Sequence, residues 1–203
     1  MTTVDEARVA TRDEADVVTE LIVGAFYEDP TWSWAFPDPD LRRAQHRRFW
    51  RAYVDGAMRF PWVWLTANDT AASLWIPPGE RELTEAQEEA VERLLEELLG
   101  TDAQRVFRAF ELFEDKHPRD EPHFYLSLLA TDPQQRGRGY GLRLLAAILA
   151  AIDAAGVPAY LEARNPANVP LYERYGFRVA GGFDLPDGGP RVHTMWRERA
   201  SAS

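Results

Sequence analysis

The residues best suited to chemistry by type and spacing are Arg136-Gly137-Arg138-Gly139-Tyr140-Gly141, three glycines alternating with larger residues between an apolar run and a helical pattern. A strand-to-helix turn of this kind leaves several backbone N–H groups without intrahelical partners and sets the positive end of the helix dipole beside them. Glycine lets phosphate oxygens approach those amides, where a Cβ would stand in the way, and it permits φ above zero. The turn therefore suits a pyrophosphate, with Arg136 and Arg138 adding charge at the rim. It is not the dinucleotide fingerprint, whose third glycine would fall where Leu142 stands, and no Gly-Lys-Ser/Thr follows as in a P-loop. Taken alone, such a turn is equally well explained as a device for turning tightly.

Other residues stand out against their surroundings. Glu162 interrupts an otherwise apolar strand pattern, which marks either a site-facing carboxylate acting as a base through water, or an edge position or structural ion pair. Trp32, Trp34 and Phe36 lie in a polar-flanked loop with Pro37 and Pro39, a poor place to hide three aromatics; they suit the wall of an acceptor pocket or a dimer contact. Of the four histidines, His123 begins the strand next to the glycine turn and is the one candidate, with a strand-end role favoured. His46, His117 and His193 have no ligand-like spacing, so no metal is expected.

The elements that must position these residues follow from periodicity. Val9 and Ala10 start a strand, and a Thr11/Glu14 capping box opens a helix carrying Val18, Leu21, Ile22, Ala25 and Phe26, closed by Glu28-Asp29-Pro30. After the aromatic loop, Phe49, Trp50, Tyr53, Val54 and Ala57 mark a second helix. Residues 62–65 and 71–76 read as a hairpin, and helices follow from Thr84 and around Phe107, the second ending near His117-Pro118. Glu88, Glu89, Glu92, Glu96 and Glu97 form a solvated helix face. Then come a strand over 123–131, a helix over 140–155, a strand over 159–163, a short helix from Val169 and two last strands. Strand, glycine turn, helix and strand make a βαβ unit whose strands must be parallel. The fold class expected is mixed α/β (α+β): a central twisted sheet of about seven strands flanked by helices.

At 203 residues the chain suits one domain, with a helical insertion near 80–117 and a core near 121–178. A net charge of −10 argues against nucleic acid and suits a cationic small molecule, though acidity also serves solubility. The absence of cysteine excludes disulfides, thiolate metal sites and a cysteine nucleophile. Neither a leader pattern nor a membrane-spanning apolar run is visible, so no membrane partner and a cytoplasmic location are expected.

Two motifs change the weight of the glycine turn. Arg136-Gly137-Arg138-Gly139-Tyr140-Gly141 resembles the Arg/Gln-x-x-Gly-x-Gly/Ala signature of the GNAT acetyltransferase superfamily. Asn168-Val169-Pro170-Leu171-Tyr172-Glu173-Arg174-Tyr175-Gly176-Phe177 resembles its second motif, an Asn ahead of a short Tyr-bearing helix that ends in Gly-Phe. Segments such as Glu121-Pro122-His123-Phe124-Tyr125-Leu126 and Tyr172-Glu173-Arg174 extend the likeness toward the puromycin N-acetyltransferase group, from which the loop around Trp32 departs.

The resemblance implies acetyl-coenzyme A as co-substrate, with its pyrophosphate on residues 136–141 and its pantetheine arm along the main chain of Leu129, Ala130 and Thr131. Asn168 would bond the pantetheine or cap the short helix. Tyr172 would protonate the leaving thiolate, since a phenol (pKa about 10) can donate to a thiolate of pKa about 8.5. On the acceptor side the resemblance implies Phe26, Glu28, Asp29, Trp32 and Trp34. The partner expected is a small-molecule primary amine, with antibiotics and aminoacyl compounds as candidates, handled by a monomer or homodimer. A protein or peptide N-acetyltransferase and a non-catalytic acyl-coenzyme A sensor stand as alternatives.

Overall fold

The computed structural model describes residues 7–200. Seven strands lie in one sheet ordered β1-β2-β3-β4-β5-β7-β6. Strands β1 (Ala7–Val9), β2 (Val63–Thr66), β3 (Ala71–Ile76) and β4 (Phe124–Thr131) pair antiparallel in turn. β4 and β5 (Ala159–Ala163) are parallel, and β7 (Arg191–Arg197) joins β5 to the edge strand β6 (Arg178–Asp184) by antiparallel pairing. The parallel pair is linked through α6 (Tyr140–Ala155), as the βαβ pattern requires.

Helices cover both faces because each strand alternates its apolar side chains between them. On one face α1 (Ala15–Phe26) and α3 (Pro39–Ala57) bury Val18, Ile22, Phe49 and Trp50 against Leu65, Leu74 and Leu128. On the other, Leu145, Ile148 and Ile152 of α6 pack on Leu126 and Leu161. The segment between β3 and β4 forms α4 (Glu85–Leu99), capped by Thr84, and α5 (Ala103–Lys116). α5 lays Val106 on the α1 face and Ala109 against Phe183, Leu185 and Val192 of the β6–β7 hairpin. None of the described helices is long and apolar enough to cross a membrane.

The segment expected as an aromatic loop is instead a short helix, α2 (Pro30–Ala35). Pro30 ends α1 and also serves as the first residue of α2, where a missing N–H costs nothing. The Asp29 carboxylate caps the new helix, accepting from the amides of Thr31 at 3.0 Å and Trp32 at 3.3 Å. Helical winding turns Trp32 and Phe36 inward, 4% and 0% exposed, onto Phe49 and Trp50. Flanking polarity misled here because the cap and the prolines are helix-start signals as well as loop signals.

Two irregularities in the sheet prepare a site. Leu74 lies opposite Leu128 but Trp75 lies opposite Leu126, so Ser127 is an extra residue bulged out of β4. The bulge flips the alternation: Phe124 and Leu126 face α6, whereas Leu128 and Ala130 face α1. Separately, β4 pairs with β5 only from Phe124↔Ala159 to Leu126↔Leu161, although β4 continues to Thr131 and β5 to Ala163. Beyond Leu126 the two strands part like a fork.

Candidate active site

A cleft opens in the fork, lined by Leu126, Ser127 and Leu129 of β4, Leu161, Glu162 and Ala163 of β5, and Phe26, Asp29, Arg164, Asn168 and Tyr172 from the surrounding segments. Strand alternation explains Glu162: Ala159, Leu161 and Ala163 pack toward α6, so Tyr160 and Glu162 must point to the opposite side. The Glu162 side chain is 2% exposed, and each of its oxygens has a partner. Tyr125 donates its hydroxyl to Oε2 at 2.6 Å, Arg164 Nη2 lies 3.4 Å from the same oxygen, and His117 Nδ1 lies 3.7 Å from Oε1. Burial by itself would raise the pKa of this carboxyl, but His117, Arg164 and Tyr125 outweigh it and hold the group below the usual glutamate range.

Arg164 braces the fork. Its Nη1 donates to the Ser127 carbonyl at 3.1 Å, the group that the bulge releases from the ladder, and its Nη2 reaches the Tyr125 oxygen at 3.1 Å. The guanidinium sits over Trp32 at 5.7 Å and Phe113 at 5.2 Å, so α2 and α5 hold it from either side.

The Ser127 hydroxyl, aimed by the bulge, faces the cleft and donates to Glu82 Oε1. Glu82 stands in the loop between β3 and α4. Burial pushes its pKa up to about 7, a shift that the Ser127 hydroxyl and Arg164 partly oppose. Its loop is clamped by the end of α3 and the turn after it: Arg59 donates to the carbonyls of Arg81 and Glu82, and a Cβ on Gly56 would stand 2.5 Å from the Glu82 carbonyl oxygen. Gly56→Ala should therefore displace Glu82. We expect a stability loss of about 1–3 kcal/mol by thermal unfolding together with a fall in kcat/KM larger than that of Arg93→Ala, which touches only the surface.

Tyr172, on the short helix α7 (Val169–Glu173), lines the same cleft and packs its ring on Phe177 at 6.0 Å. Burial pushes its phenol up to about 12, so it stays protonated near neutrality.

The glycine turn lies at the far end of β4. Gly137 and Gly139 take φ of +80° and +77°, values that strain any residue with a Cβ. No side chain caps α6 and no acidic residue occupies its first turn, which leaves the N-terminal amides open to an anion. Arg136 binds the Ala25 carbonyl at 2.6 Å and ties the turn to α1. A Cβ on Gly141 would overlap Thr131 Oγ1, so this glycine sets how closely α6 approaches β4. Gly141→Ala should weaken acetyl-coenzyme A binding about tenfold, the cost of a 1–2 kcal/mol displacement, measurable by titration calorimetry.

The acetyltransferase (GNAT) family model matches residues 20–177. The chain belongs to the GNAT acetyltransferase family. This N-acetyltransferase is 27% identical over 182 residues to an uncharacterized N-acetyltransferase of Schizosaccharomyces pombe, covering 84% of the chain and 72% of that protein. Among solved structures it is similar to an acetyltransferase of Corynebacterium glutamicum described as histone acetyltransferase HPA2 and related acetyltransferase, with TM-score 0.65, 23% identity and 99% of each chain covered. It is equally similar in fold to the polyamine N-acetyltransferase of Drosophila melanogaster, an enzyme that forms N-acetylagmatine, with TM-score 0.65 and 16% identity over 96% of this chain and 99% of that one. Enzymes of this family use acetyl-coenzyme A, and the uncapped α6 terminus, the positive-φ glycines and the edge of β4 that β5 leaves free beyond Leu126 suit its pyrophosphate and pantetheine.

Of the residues singled out by sequence, the cleft gathers Tyr172, Glu162, Asn168, Leu129, Phe26 and Asp29. Glu28 is exposed and outside the lining, Trp32 stands behind Arg164, and Trp34 packs beside Arg105 at 5.3 Å, away from the lining. The sequence analysis missed Ser127, Glu82, Arg164, Tyr125 and His117. Signals existed for two of them: Ser127 is a small polar residue in the middle of an apolar strand, and Arg164 follows Glu162 by two.

Proposed function

We infer that this acetyltransferase moves an acetyl group from acetyl-coenzyme A to the primary amine of a small cationic molecule. The observation that carries this is the fork between β4 and β5, into which Ser127, Glu162, Asp29 and Tyr172 converge. Three carboxyls, Asp29, Glu82 and Glu162, stand around one guanidinium, Arg164, a balance that attracts a cation. The N-acetylagmatine-forming Drosophila enzyme supports the same substrate class. The likeness to the puromycin N-acetyltransferase group supports adding an aminoacyl antibiotic to the candidates, with resistance as the biological role.

Acetyl-coenzyme A supplies the acyl carbon that the amine attacks, and the thioester C–S bond breaks to release coenzyme A as the thiol. Glu162, held ionised, is the counter-charge for the incoming ammonium. Ser127 takes a proton from the amine and passes its own to Glu82, whose pKa of about 7 suits a base working near neutrality. Tyr172 donates its phenolic proton at the sulfur. The main chain of Leu129, Ala130 and Thr131 and the side chain of Asn168 orient the pantetheine arm.

The test is thiol release from acetyl-coenzyme A with agmatine, polyamines, puromycin, aminoglycosides and short peptides. The protein has no cysteine and adds no background to a thiol reagent. Release with cationic small amines supports the inference; release with peptides alone overturns it.

A further inference from the structure

Phe26 and Asp29 line the cleft from the corner where α1 gives way to α2. The backbone on either side of Phe26 is held from two other elements. Arg136 of the glycine turn donates to the Ala25 carbonyl at 2.6 Å, and Arg42 of α3 donates from Nη1 to the Tyr27 carbonyl at 3.3 Å. Arg42 then spans the corner. Its Nε donates to the Phe36 carbonyl at 2.6 Å and its Nη2 to the Pro37 carbonyl at 3.1 Å. One side chain thereby joins the residue that caps the end of α1 to the residue that caps the end of α2 and the proline after it.

Arg42 is 8% exposed and, among the described residues, makes no ion pair. A buried charge is costly unless it is paired and its donors are satisfied. Here backbone carbonyls at the ends of two helices serve in place of a carboxylate. The guanidinium also lies over the Tyr27 ring at 5.2 Å, and the Tyr27 hydroxyl donates to the Pro39 carbonyl at 2.9 Å in the first turn of α3. Ser33 Oγ shares the Tyr27 carbonyl at 3.3 Å, but it ties only the middle of α2 to α1. Arg42 ties the far end. A planar fork of donors suits three carbonyls at once, whereas lysine offers a single ammonium.

We propose that Arg42 is a positioning residue for the acceptor: its hydrogen bonds to Tyr27, Phe36 and Pro37 set the α1–α2 corner that presents Phe26 and Asp29 to the amine. This deepens the proposed function and rests on the assignment of Phe26 and Asp29 to the acceptor side. Arg42 is not among the residues that line the cleft, and its hydrogen bonds reach neither the glycine turn nor β4. Its removal therefore acts on the amine and spares the cofactor. An interaction that holds the acceptor equally before and during reaction appears in KM and not in kcat.

The experiment compares the wild-type protein with Arg42→Gln and Arg42→Lys. Amide hydrogen exchange reads the corner, titration calorimetry with coenzyme A reads the cofactor site, and steady-state kinetics with agmatine, or whichever amine of the panel supports turnover, read the acceptor. In Arg42→Gln, exchange over residues 28–37 should quicken about tenfold with α6 unchanged. The KM for the amine should rise about tenfold, while kcat and coenzyme A affinity change less than about threefold. Arg42→Lys, which keeps the charge without the fork, should fall between. Unchanged exchange at the corner, an unchanged KM, or a loss of coenzyme A affinity in step with the amine, as a merely structural role would give, would overturn the proposal while leaving the acceptor class standing. If Arg42→Gln does not fold, Arg42→Lys is judged on the same readings, and failure of both to fold would assign Arg42 to stability alone. Failure of every cationic amine to react with the wild-type protein would overturn the acceptor class and this role with it, and exchange would still show whether Arg42 holds the corner.

Discussion

Replacing Tyr172 with phenylalanine is expected to lower kcat about a hundredfold, the usual worth of a positioned general acid, and to leave acetyl-coenzyme A affinity within about twofold. The ring remains on Phe177, so packing is kept and only the proton donor is removed. Because burial holds the phenol up to about 12, the wild-type enzyme keeps this donor protonated throughout the range in which it is assayed. The departing thiolate of the variant must find its proton in water. A donor whose thiol is more acidic needs that proton less, so the loss should shrink with such an acyl donor. Steady-state kinetics with two thioesters and equilibrium binding of acetyl-coenzyme A check this. A change below about threefold in kcat would remove Tyr172 from the role.

Glu82→Gln is expected to cost about 10²–10³ in kcat/KM and to change the shape of the pH profile. In the wild-type enzyme the base works only when ionised. Its pKa is raised to about 7, so the ionised fraction falls as pH drops below 7, and kcat/KM should fall with it by up to tenfold per unit. Glutamine keeps the size and can still accept from Ser127, but it cannot take a proton, so the acid limb attributed to Glu82 should disappear. Ser127→Ala cuts the same route at its other end. The two substitutions together should cost little more than either alone, because a chain severed twice is no more severed. An unchanged acid limb in Glu82→Gln would point to another base.

Glu162 shows how the same chemistry is partly legible and partly not. A charged residue inside an apolar strand is visible in the sequence, and alternation sends its side chain away from α6. Its partners come from β4, the end of α5 and the residue two along, and only their convergence decides that it stays ionised. The aromatic segment is the reverse case. Its residues were visible, yet Trp32 lies in the core because Asp29 and Pro30 start a helix there, which leaves Asp29 and Phe26 to line the cleft.

The sequence by itself determined the order of the elements apart from α2, the βαβ unit, the glycine turn and the second motif with Tyr172. These are local: period, capping and glycine conformation act over a few residues, and the spacing of a motif is written along the chain. The tertiary structure alone decided where β4 and β5 part, that Ser127 bulges from its ladder, and that Glu82, Arg164 and His117 meet at that fork. Those contacts join residues between 2 and 80 positions from Glu162, and their energetics arise from burial and mutual charge. Neither exists until the sheet has closed around them.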